Sequence, residues 1–281
     1  MEVYLWYCHA IHGNNIYLFR LCAGLGFTMK RTFLIILLLS SAACTTLHAE
    51  PNKPRRDRHR PAHLLVVLIG GADSDPTAAQ IEGNAQRREG NSGLYRFAGD
   101  MTRERVLPKY FNWNGTRAGN IQDKDPPKSR GIAEFIRAHL QKFPGDRVAI
   151  VGNSWGGHTA LEVLQELSGG ERPVAVDLVV FLDPSSTGRG TARPKALPLC
   201  ANQAVSYCTR NAFVWGKWNA GPRLKNIDLG DPAEGFMTQE GPAYDAAFNL
   251  PAHVAAEWDE RIHKDIQARL LDLLKTREPG T

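Results

Sequence analysis

A serine lies between two glycines at the point where an apolar run gives way to a helical pattern. The segment reads Gly152-Asn153-Ser154-Trp155-Gly156, a G-x-S-x-G motif. A serine hydroxyl becomes a nucleophile when an imidazole removes its proton and a carboxylate orients that imidazole. Glycines on both sides of the serine permit a sharp, strained turn from which the hydroxyl projects. Ser154 is therefore the candidate nucleophile, and a tight glycine turn with an incidental serine is the competing interpretation.

The candidate acid is Asp183, which ends the apolar stretch "DLVVFLDP" directly before Pro184. Because proline stops a buried strand, we expect the Asp183 carboxylate at the strand end, on the sheet edge that carries Ser154. Asp228 and Asp231, which flank a glycine in "NIDLGDP", are alternative acids because a loop could bring either one to that edge. An Asp183 that only caps the following turn is the structural alternative.

Two histidines follow Asp183, and one of them, His253, is the candidate base. It lies in "NLPAHVAAEW", after a proline and before the last predicted helix, where a loop can bring the ring to the sheet edge. His263 falls on the polar face of that helix, so we expect it to be exposed. His158, four residues after Ser154, is interpreted as structural.

Backbone N–H groups are the expected donors to the negative charge that develops on a carbonyl oxygen under attack. One such donor is the N–H of Trp155, directly after the candidate nucleophile. The other is the N–H of Gly71 or Ala72, in the loop after the first predicted strand. Several aromatic residues near this rim are candidates for lining a substrate pocket, although core packing is their commoner role. They are Trp155, Phe181, Phe213, Trp215 and Trp218.

The elements that would position these residues alternate between strands and helices from residue 62 onward. Apolar runs predict strands at 63–71, 105–113, 147–152, 174–184 and 211–218. Helical spacing of apolar residues predicts helices over 129–143, from the motif to about Leu167, and in a closing segment with a stripe at Trp258, Ile262, Ile266, Leu270 and Leu273. The segments 184–210 and 218–252 are predicted to be long loops. This alternation predicts an α/β fold with a mostly parallel sheet flanked by helices on both faces.

The motif, the Gly70-Gly71 loop and the chain order Ser154, Asp183, His253 resemble the α/β-hydrolase superfamily, specifically its serine esterase and lipase branch. The resemblance covers roughly residues 62–275. In much of the superfamily the acid follows the next strand, whereas "FLDP" resembles the "LDP" of pancreatic-type lipases, in which this Asp is the acid.

The resemblance implies hydrolysis in two steps through an acyl-enzyme, with no cofactor. A small-molecule or lipid ester is the expected substrate. A peptidase or thioesterase with the same triad is a neighbouring hypothesis. A non-catalytic envelope protein that keeps the fold as a binding or scaffold module is the alternative from another class.

Residues 1–49 are predicted to be a leader, with a signal peptide at about 29–49 and Met29 as a competing start. Basic residues, a short apolar core and then small residues give the order of a secretory signal. Cleavage after Ala49 would release a soluble protein. "SAAC" instead resembles a bacterial lipobox, which would lipidate Cys44 and attach the protein to a membrane. Both endings predict export to the periplasm, the envelope or the exterior.

The basic run at 50–61 is predicted to be a solvated linker before a hydrolase domain at 62–278. The formal charge of +5 over 281 residues is modest, and the run contains no aromatic residue, so we expect no nucleic-acid partner. Cys200 and Cys208 are close enough in sequence to form a disulfide in an oxidising compartment, with two thiols as the alternative. No His/Cys cluster has metal-ligand spacing, so no metal site is expected.

Overall fold

The computed structural model divides the chain into two units, Met1–Asp57 and Arg58–Thr281. The described residues are 8–12, 15–19, 61–72, 92–103, 105–112, 128–169, 172–185 and 194–275. In the first unit, strand β1 (Cys8–His12) pairs antiparallel with β2 (Asn15–Phe19). The predicted signal peptide, Cys44 and the basic linker lie outside the described residues except for Pro61, the last residue of the linker.

The second unit contains a six-stranded sheet in which each strand is parallel to its neighbours. The strands are β3 (Leu64–Ile69), β4 (Val106–Phe111), β5 (Arg147–Asn153), β6 (Leu178–Leu182), β7 (Ala204–Cys208) and β8 (Leu224–Asp228). Their order across the sheet is β4-β3-β5-β6-β7-β8, so the direction of winding reverses between β3 and β5. The parallel sheet confirms the predicted architecture.

Helices cover both faces of the sheet, as predicted. They are α1 (Gly93–Asp100), α2 (Lys128–Lys142), α3 (Trp155–Ser168), α4 (Leu250–Trp258) and α5 (Glu260–Lys275). Successive side chains of a strand point to opposite faces, so β3 contributes Leu64, Val66 and Leu68 to the core beneath α1, α4 and α5. The intervening Leu65, Val67 and Ile69 pack in the other core, with α2 and α3. Among the described helices, none combines the length and the apolar character needed to cross a bilayer.

The predicted strand at 211–218 is wrong, and two strands lie in segments that were predicted to be loops. β7 is a five-residue strand, AVSYC, that contains the polar Ser206, and β8, LKNID, is an edge strand with charged and amide side chains. Neither forms a continuous apolar run. The segment 211–218 is apolar because it packs into the core from a loop, where Trp215 is fully buried.

The closing segment forms two helices instead of one. Asp259 has an extended backbone between α4 and α5, and its carboxylate accepts a hydrogen bond from the N–H of Arg261 at 2.9 Å. The predicted exposure of His263 is wrong, because its ring stacks on Phe97 with centroids 4.4 Å apart. Its Nε2 donates to the carbonyl oxygen of Glu257 at 2.8 Å, and burial lowers the pKa of His263 below its usual value.

The predicted disulfide is also wrong: Cys200 and Cys208 are both buried thiols. Cys208 is the last residue of β7, whereas Cys200 precedes its first residue. Each sulfur instead donates to a backbone carbonyl, Cys200 to Leu164 at 3.2 Å and Cys208 to Ile227 at 3.4 Å.

Candidate active site

Ser154 lies in the turn between β5 and α3. Its φ of 50° and ψ of −121° form a conformation that residues other than glycine rarely adopt. Its N–H donates to the carbonyl of Leu182 at 2.9 Å, and its own carbonyl accepts from the N–H of Gly157 at 2.9 Å. The strained turn expected from the motif is therefore present, and it is held by bonds to β6 and to the first turn of α3.

The lack of a side chain at Gly156 allows the turn at Ser154 to be tight. A Cβ atom at residue 156 would collide with the backbone carbonyls of Ile69 and Gly70, at the end of β3. The first turn of α3 therefore packs directly on the carboxyl end of β3, and Ser154 lies where the strand order reverses. Parallel α/β sheets bind ligands in the crevice at such a point.

Asp183 follows β6 directly and is fully buried. Its backbone also has a positive φ, 43°. Thr209 donates to its carboxylate twice, through the backbone N–H at 2.8 Å and through the hydroxyl Oγ1, which is 2.9 Å from Oδ2. A buried carboxylate needs such donors to keep its charge. The adjacent β7 supplies them, since Thr209 is the first residue after that strand.

His253 connects the two side chains. Its Nδ1 lies 2.6 Å from Asp183 Oδ2, and its Nε2 lies 2.9 Å from Ser154 Oγ, although 99 residues separate the histidine from the serine. These contacts fit one neutral tautomer, in which Nδ1–H donates to the carboxylate and the serine hydroxyl donates to Nε2. The structure thus brings together the candidate nucleophile, base and acid.

His253 belongs to α4, whereas the sequence placed it in a loop. Asn249 precedes the helix, and its Oδ1 accepts the N–H of Ala252 at 3.1 Å, which satisfies one of the backbone donors at the helix start. The N–H of His253 donates to the carbonyl of Asn249 at 3.2 Å. The imidazole is therefore held on the first turn of a capped helix, a more rigid support than a loop.

The turns after β5, β6 and β7 are tied to one another. The N–H of Ser185 donates to the carbonyl of Ser154 at 3.1 Å, and the Ser185 hydroxyl donates to the carbonyl of Phe213 at 2.9 Å. The N–H of Trp215 donates to the carbonyl of Pro184 at 2.8 Å. These bonds hold the serine turn and the aspartate turn in one arrangement.

Both predicted sources of oxyanion donors lie next to Ser154. Trp155 is the first residue of α3, so its N–H is at the positive end of the helix dipole. A Cβ atom at Gly71 would be 2.9 Å from Ser154 Cβ, so the backbone after β3 runs directly against the serine. Ala72 follows, and residues 73–91 lie outside the described part of the chain.

The alternative acids are engaged elsewhere. Asp228, the last residue of β8, has Oδ2 at 2.9 Å from Lys217 Nζ and 3.1 Å from Arg210 Nη2. Burial raises the pKa of Asp228, but the hydrogen bonds from Lys217 and Arg210 outweigh burial and hold that pKa below its usual value. Asp231 precedes a short 3₁₀ helix, Pro232–Glu234, and accepts from the N–H of Ala233 at 3.0 Å.

Most of the predicted pocket aromatics pack in the core. Phe181, Trp215 and Trp218 are buried in the core beneath α2 and α3, so their assignment to a substrate pocket is wrong. Trp155 is half-buried beside Ser154. Phe213 is 39% exposed, and its ring forms a T-shaped pair with that of His253, with centroids 5.5 Å apart and planes at 84°. The side chain of His158 is partly exposed, and its Nε2 lies 3.5 Å from Glu162 Oε1.

Sequence reasoning missed the residues that support the acid, chiefly Thr209 and Ser185. Thr209 was overlooked because β7 was not predicted, so nothing identified residue 209 as the end of a strand. A five-residue strand over 204–208 would have placed it at the same sheet edge as Asp183, because carboxyl ends of parallel strands meet there.

The family of the chain follows from this fold and from a sequence match. The model of the Alpha/beta hydrolase family matches residues 103–276, more than half of the chain. The protein therefore belongs to the alpha/beta hydrolase family. No curated protein matches the chain.

Solved structures with similar folds have low sequence identity to this chain. An acetylxylan esterase is 13% identical, covering 76% of this chain and 100% of its own, with a TM-score of 0.41. A serine hydrolase without a lid from Xanthomonas campestris is 17% identical, covering 82% of this chain and 88% of its own, with a TM-score of 0.40. A cutinase-like protein from Cryptococcus sp. is 13% identical, covering 75% of this chain and 94% of its own, with a TM-score of 0.39.

Proposed function

We propose that this hydrolase cleaves carboxylic esters with Ser154 as nucleophile, His253 as general base and Asp183 as the acid that orients the base. The observation that carries the proposal is the continuous hydrogen-bonded series from Ser154 Oγ through the His253 ring to Asp183. A serine hydroxyl within hydrogen-bond distance of an oriented imidazole is the arrangement that nucleophilic catalysis needs.

In the first half of the reaction, Ser154 Oγ attacks the ester carbonyl carbon while His253 Nε2 takes the hydroxyl proton. The tetrahedral intermediate then expels the alcohol oxygen, which receives that proton from His253, and an acyl-serine ester remains. In the second half, water attacks the acyl carbon while His253 accepts its proton. The second tetrahedral intermediate then expels Ser154 Oγ, which receives that proton from His253, and the carboxylic acid is released. No cofactor or metal enters these steps.

Asp183 would act through its charge and its fixed position. The imidazole becomes positively charged after each proton transfer, and a carboxylate 2.6 Å from Nδ1 stabilises that charge. The carbonyl oxygen of the substrate becomes negative at the same moment. The N–H of Trp155 and that of Gly71 or Ala72 are the proposed donors to it, with the start of α3 adding its dipole.

An ester suits this set of groups better than an amide. An alcohol leaves more easily than an amine, so the leaving oxygen of an ester depends less on protonation by a general acid than the leaving nitrogen of an amide does. Exposed apolar side chains that contact His253 or lie close to it in sequence also favour an apolar substrate. Phe213, Phe248, Leu250 and Val254 are 39, 86, 58 and 51% exposed. Leu250 and Val254 are one helical turn apart on α4 and flank His253 in sequence, so an apolar part of the ester would contact them there.

The proposal is tested with a fluorophosphonate probe and p-nitrophenyl esters of increasing chain length. We expect wild-type protein to be labelled at Ser154 and to release p-nitrophenol, with a preference for chains longer than acetyl. Ser154→Ala and His253→Ala should retain the far-ultraviolet circular dichroism of the wild type and lose both activities. A wild-type protein that is neither labelled nor active would instead support the scaffold hypothesis, and labelling that persists in Ser154→Ala would exclude Ser154 as the nucleophile.

We further propose that the protein is exported, on the evidence of the signal-like residues at about 29–49. N-terminal sequencing of the mature protein distinguishes cleavage of the signal peptide after Ala49 from lipidation at Cys44. Cleavage after Ala49 gives a free amino terminus at Glu50, whereas lipidation gives a blocked, acylated Cys44. Full-length protein retained in the cytoplasm would contradict export.

A further inference from the structure

Asn211 lies between the supports of the acid and the base and is almost fully buried, with 4% of its surface exposed. It is two residues after Thr209, in the loop that follows β7. Its side-chain amide bonds Thr209, the donor to the acid, on one side and the start of α4 on the other. The amide therefore connects Thr209 with α4, and the catalytic meaning of this connection rests on the proposed function of Ser154, His253 and Asp183.

On the acid side, Asn211 Nδ2 donates to Thr209 Oγ1 at 3.0 Å. Thr209 Oγ1 is in turn 2.9 Å from Asp183 Oδ2 and 3.1 Å from Oδ1. A hydroxyl has a single proton, so the hydrogen bond accepted from Asn211 leaves that proton directed at the carboxylate. Asn211 thereby fixes the hydroxyl rotamer of Thr209 in the orientation that donates to Asp183.

On the base side, Asn211 makes two bonds to the backbone of Asn249, the residue that caps α4. Its Oδ1 accepts the N–H of Asn249 at 2.6 Å, and its Nδ2 donates to the carbonyl of Asn249 at 3.1 Å. That carbonyl also accepts the N–H of His253 at 3.2 Å. The amide thus holds the residue on which the first turn of α4 is built.

Only one orientation of the Asn211 amide satisfies these contacts. The two Nδ2 protons go to Thr209 Oγ1 and Asn249 O, and Oδ1 receives the N–H of Asn249. A flipped amide would set NH₂ against N–H and oxygen against oxygen. Since the group is buried and both of its protons and its oxygen are hydrogen-bonded, it is costly to disturb.

We propose that Asn211 is a positioning residue that sets the distance between Asp183 and His253. It contacts neither the reacting atoms nor the imidazole, and it acts by joining the donor to the acid with the helix that carries the base. Without it, Thr209 Oγ1 and the start of α4 can move independently. The 2.6 Å bond between the acid and the base would then lengthen, and the alignment of Nε2 with Ser154 would be lost.

The test compares Asn211→Ala with a matched control, Asn226→Ala. Asn226 makes a similar pair of amide bonds to one backbone residue, accepting the N–H of Trp218 at 3.2 Å and donating to its carbonyl at 2.8 Å. It lies on β8, away from the three proposed residues. We expect Asn211→Ala to lower kcat by about 10- to 100-fold with little change in KM, since misplacement of a catalytic group costs rate more than substrate binding. Asn226→Ala should change stability without changing kcat.

A near-isosteric variant covers the case in which Asn211→Ala does not fold. Asn211→Asp keeps the volume and the oxygen that accepts from Asn249, but it loses both donors. We expect its kcat to fall as well. A folded Asn211→Ala or Asn211→Asp protein with the kcat of the wild type would overturn the proposal.

A readout that needs no turnover separates this inference from the proposed function. A strong bond from Nδ1–H to a carboxylate gives a far-downfield proton resonance, which is assigned to His253 by its loss in His253→Ala. We expect Asn211→Ala to broaden this resonance or shift it upfield, and Asn226→Ala to leave it unchanged. If the wild type proves inactive, the proposed function fails, yet the resonance still decides whether Asn211 positions the pair. An unchanged resonance in Asn211→Ala would contradict the positioning role.

Discussion

Ser154 and Asp183 share an unusual backbone conformation, with φ angles of 50° and 43°, although neither is glycine. They follow neighbouring parallel strands, and the N–H of Ser185 joins the two turns by donating to the carbonyl of Ser154. Such conformations cost roughly 1–3 kcal/mol each and persist where the surrounding structure holds them. In these backbone conformations the Ser154 hydroxyl and the Asp183 carboxylate meet the two nitrogens of the His253 ring.

The identity of the acid is tested by Asp183→Asn, with Asp228→Asn as the control. Asparagine tolerates positive φ, so the turn should survive while the charge is lost. We expect kcat for p-nitrophenyl acetate to fall on the order of 10⁴-fold, because a neutral amide neither stabilises the imidazolium nor selects the required tautomer. Asp228→Asn should stay near the wild-type rate. The reverse ranking of the two variants would reassign the acid to Asp228.

A second prediction concerns the approach of the Gly71 backbone to Ser154. A methyl group at residue 71 would lie 2.9 Å from Ser154 Cβ and 3.2 Å from the carbonyl oxygen of Asn153, so the loop must shift. We expect Gly71→Ala to lower kcat by about 10²- to 10³-fold, the cost of a lost oxyanion donor.

Gly99→Ala is the matched control for that variant. Gly99 lies in α1, and a Cβ atom there would meet nothing within 4 Å. We expect it to stabilise the helix by up to about 1 kcal/mol and to leave kcat unchanged. Steady-state kinetics and urea denaturation of both variants make the comparison. A wild-type kcat in Gly71→Ala would exclude this loop as a donor.

His263 makes stability depend on pH. Its pKa is lowered in the folded state by burial, whereas in the unfolded chain it stays near 6.5. Below that value the unfolded state binds a proton that the folded state does not, so the free energy of unfolding decreases as the pH falls through 6.5. Urea denaturation at several pH values should show a decrease of up to about 1.4 kcal/mol per pH unit from this residue.

Replacement of His263 should flatten that dependence. We expect the free energy of unfolding of His263→Gln to change less with pH than that of the wild type between about pH 5.5 and 6.5, whatever its value at neutral pH. Parallel curves for His263→Gln and the wild type would contradict the assignment.

The two cysteines of the hydrolase unit should both react as thiols. Each sulfur lies against a different backbone carbonyl, that of Leu164 for Cys200 and that of Ile227 for Cys208. We expect alkylation in denaturant without reductant to add two labels to Cys200 and Cys208, as measured by mass spectrometry. In the folded protein both should react slowly, because both are buried. A mass two hydrogens lower that resists alkylation would indicate a disulfide.

Much of the candidate site could be predicted from short stretches of sequence. The glycines around Ser154 are required by contacts with residues of its own turn and of β3, and Asp183 stands at a strand end marked by proline. Both signals are local, since periodicity and turn chemistry depend on residues close in the chain. The chain order then left only two histidines after the acid, which is why His253 could be named.

The errors arose where burial depends on distant residues. The apolar 211–218 segment packs as a loop because Trp215 fills the core beneath α2 and α3, a space formed by other elements. His263 looked polar on its helix, but Phe97 of α1 covers its ring. The cysteine spacing suggested a disulfide only while the strand between them was unrecognised.

Local pattern was thus enough for the fold class, the serine turn and the names of the three candidate residues, because each depends on side-chain periodicity or on a turn. The sequence favoured Asp183 but left Asp228 and Asp231 open. The hydrogen bond from His253 to Asp183, and the amide of Asn211 that joins their supports, were seen only in the folded chain. Hydrogen bonds between residues far apart in sequence depend on strand order and register. The parallel order β5-β6-β7 brings Ser154, Asp183 and Thr209 side by side, and α4 then carries His253 between the first two.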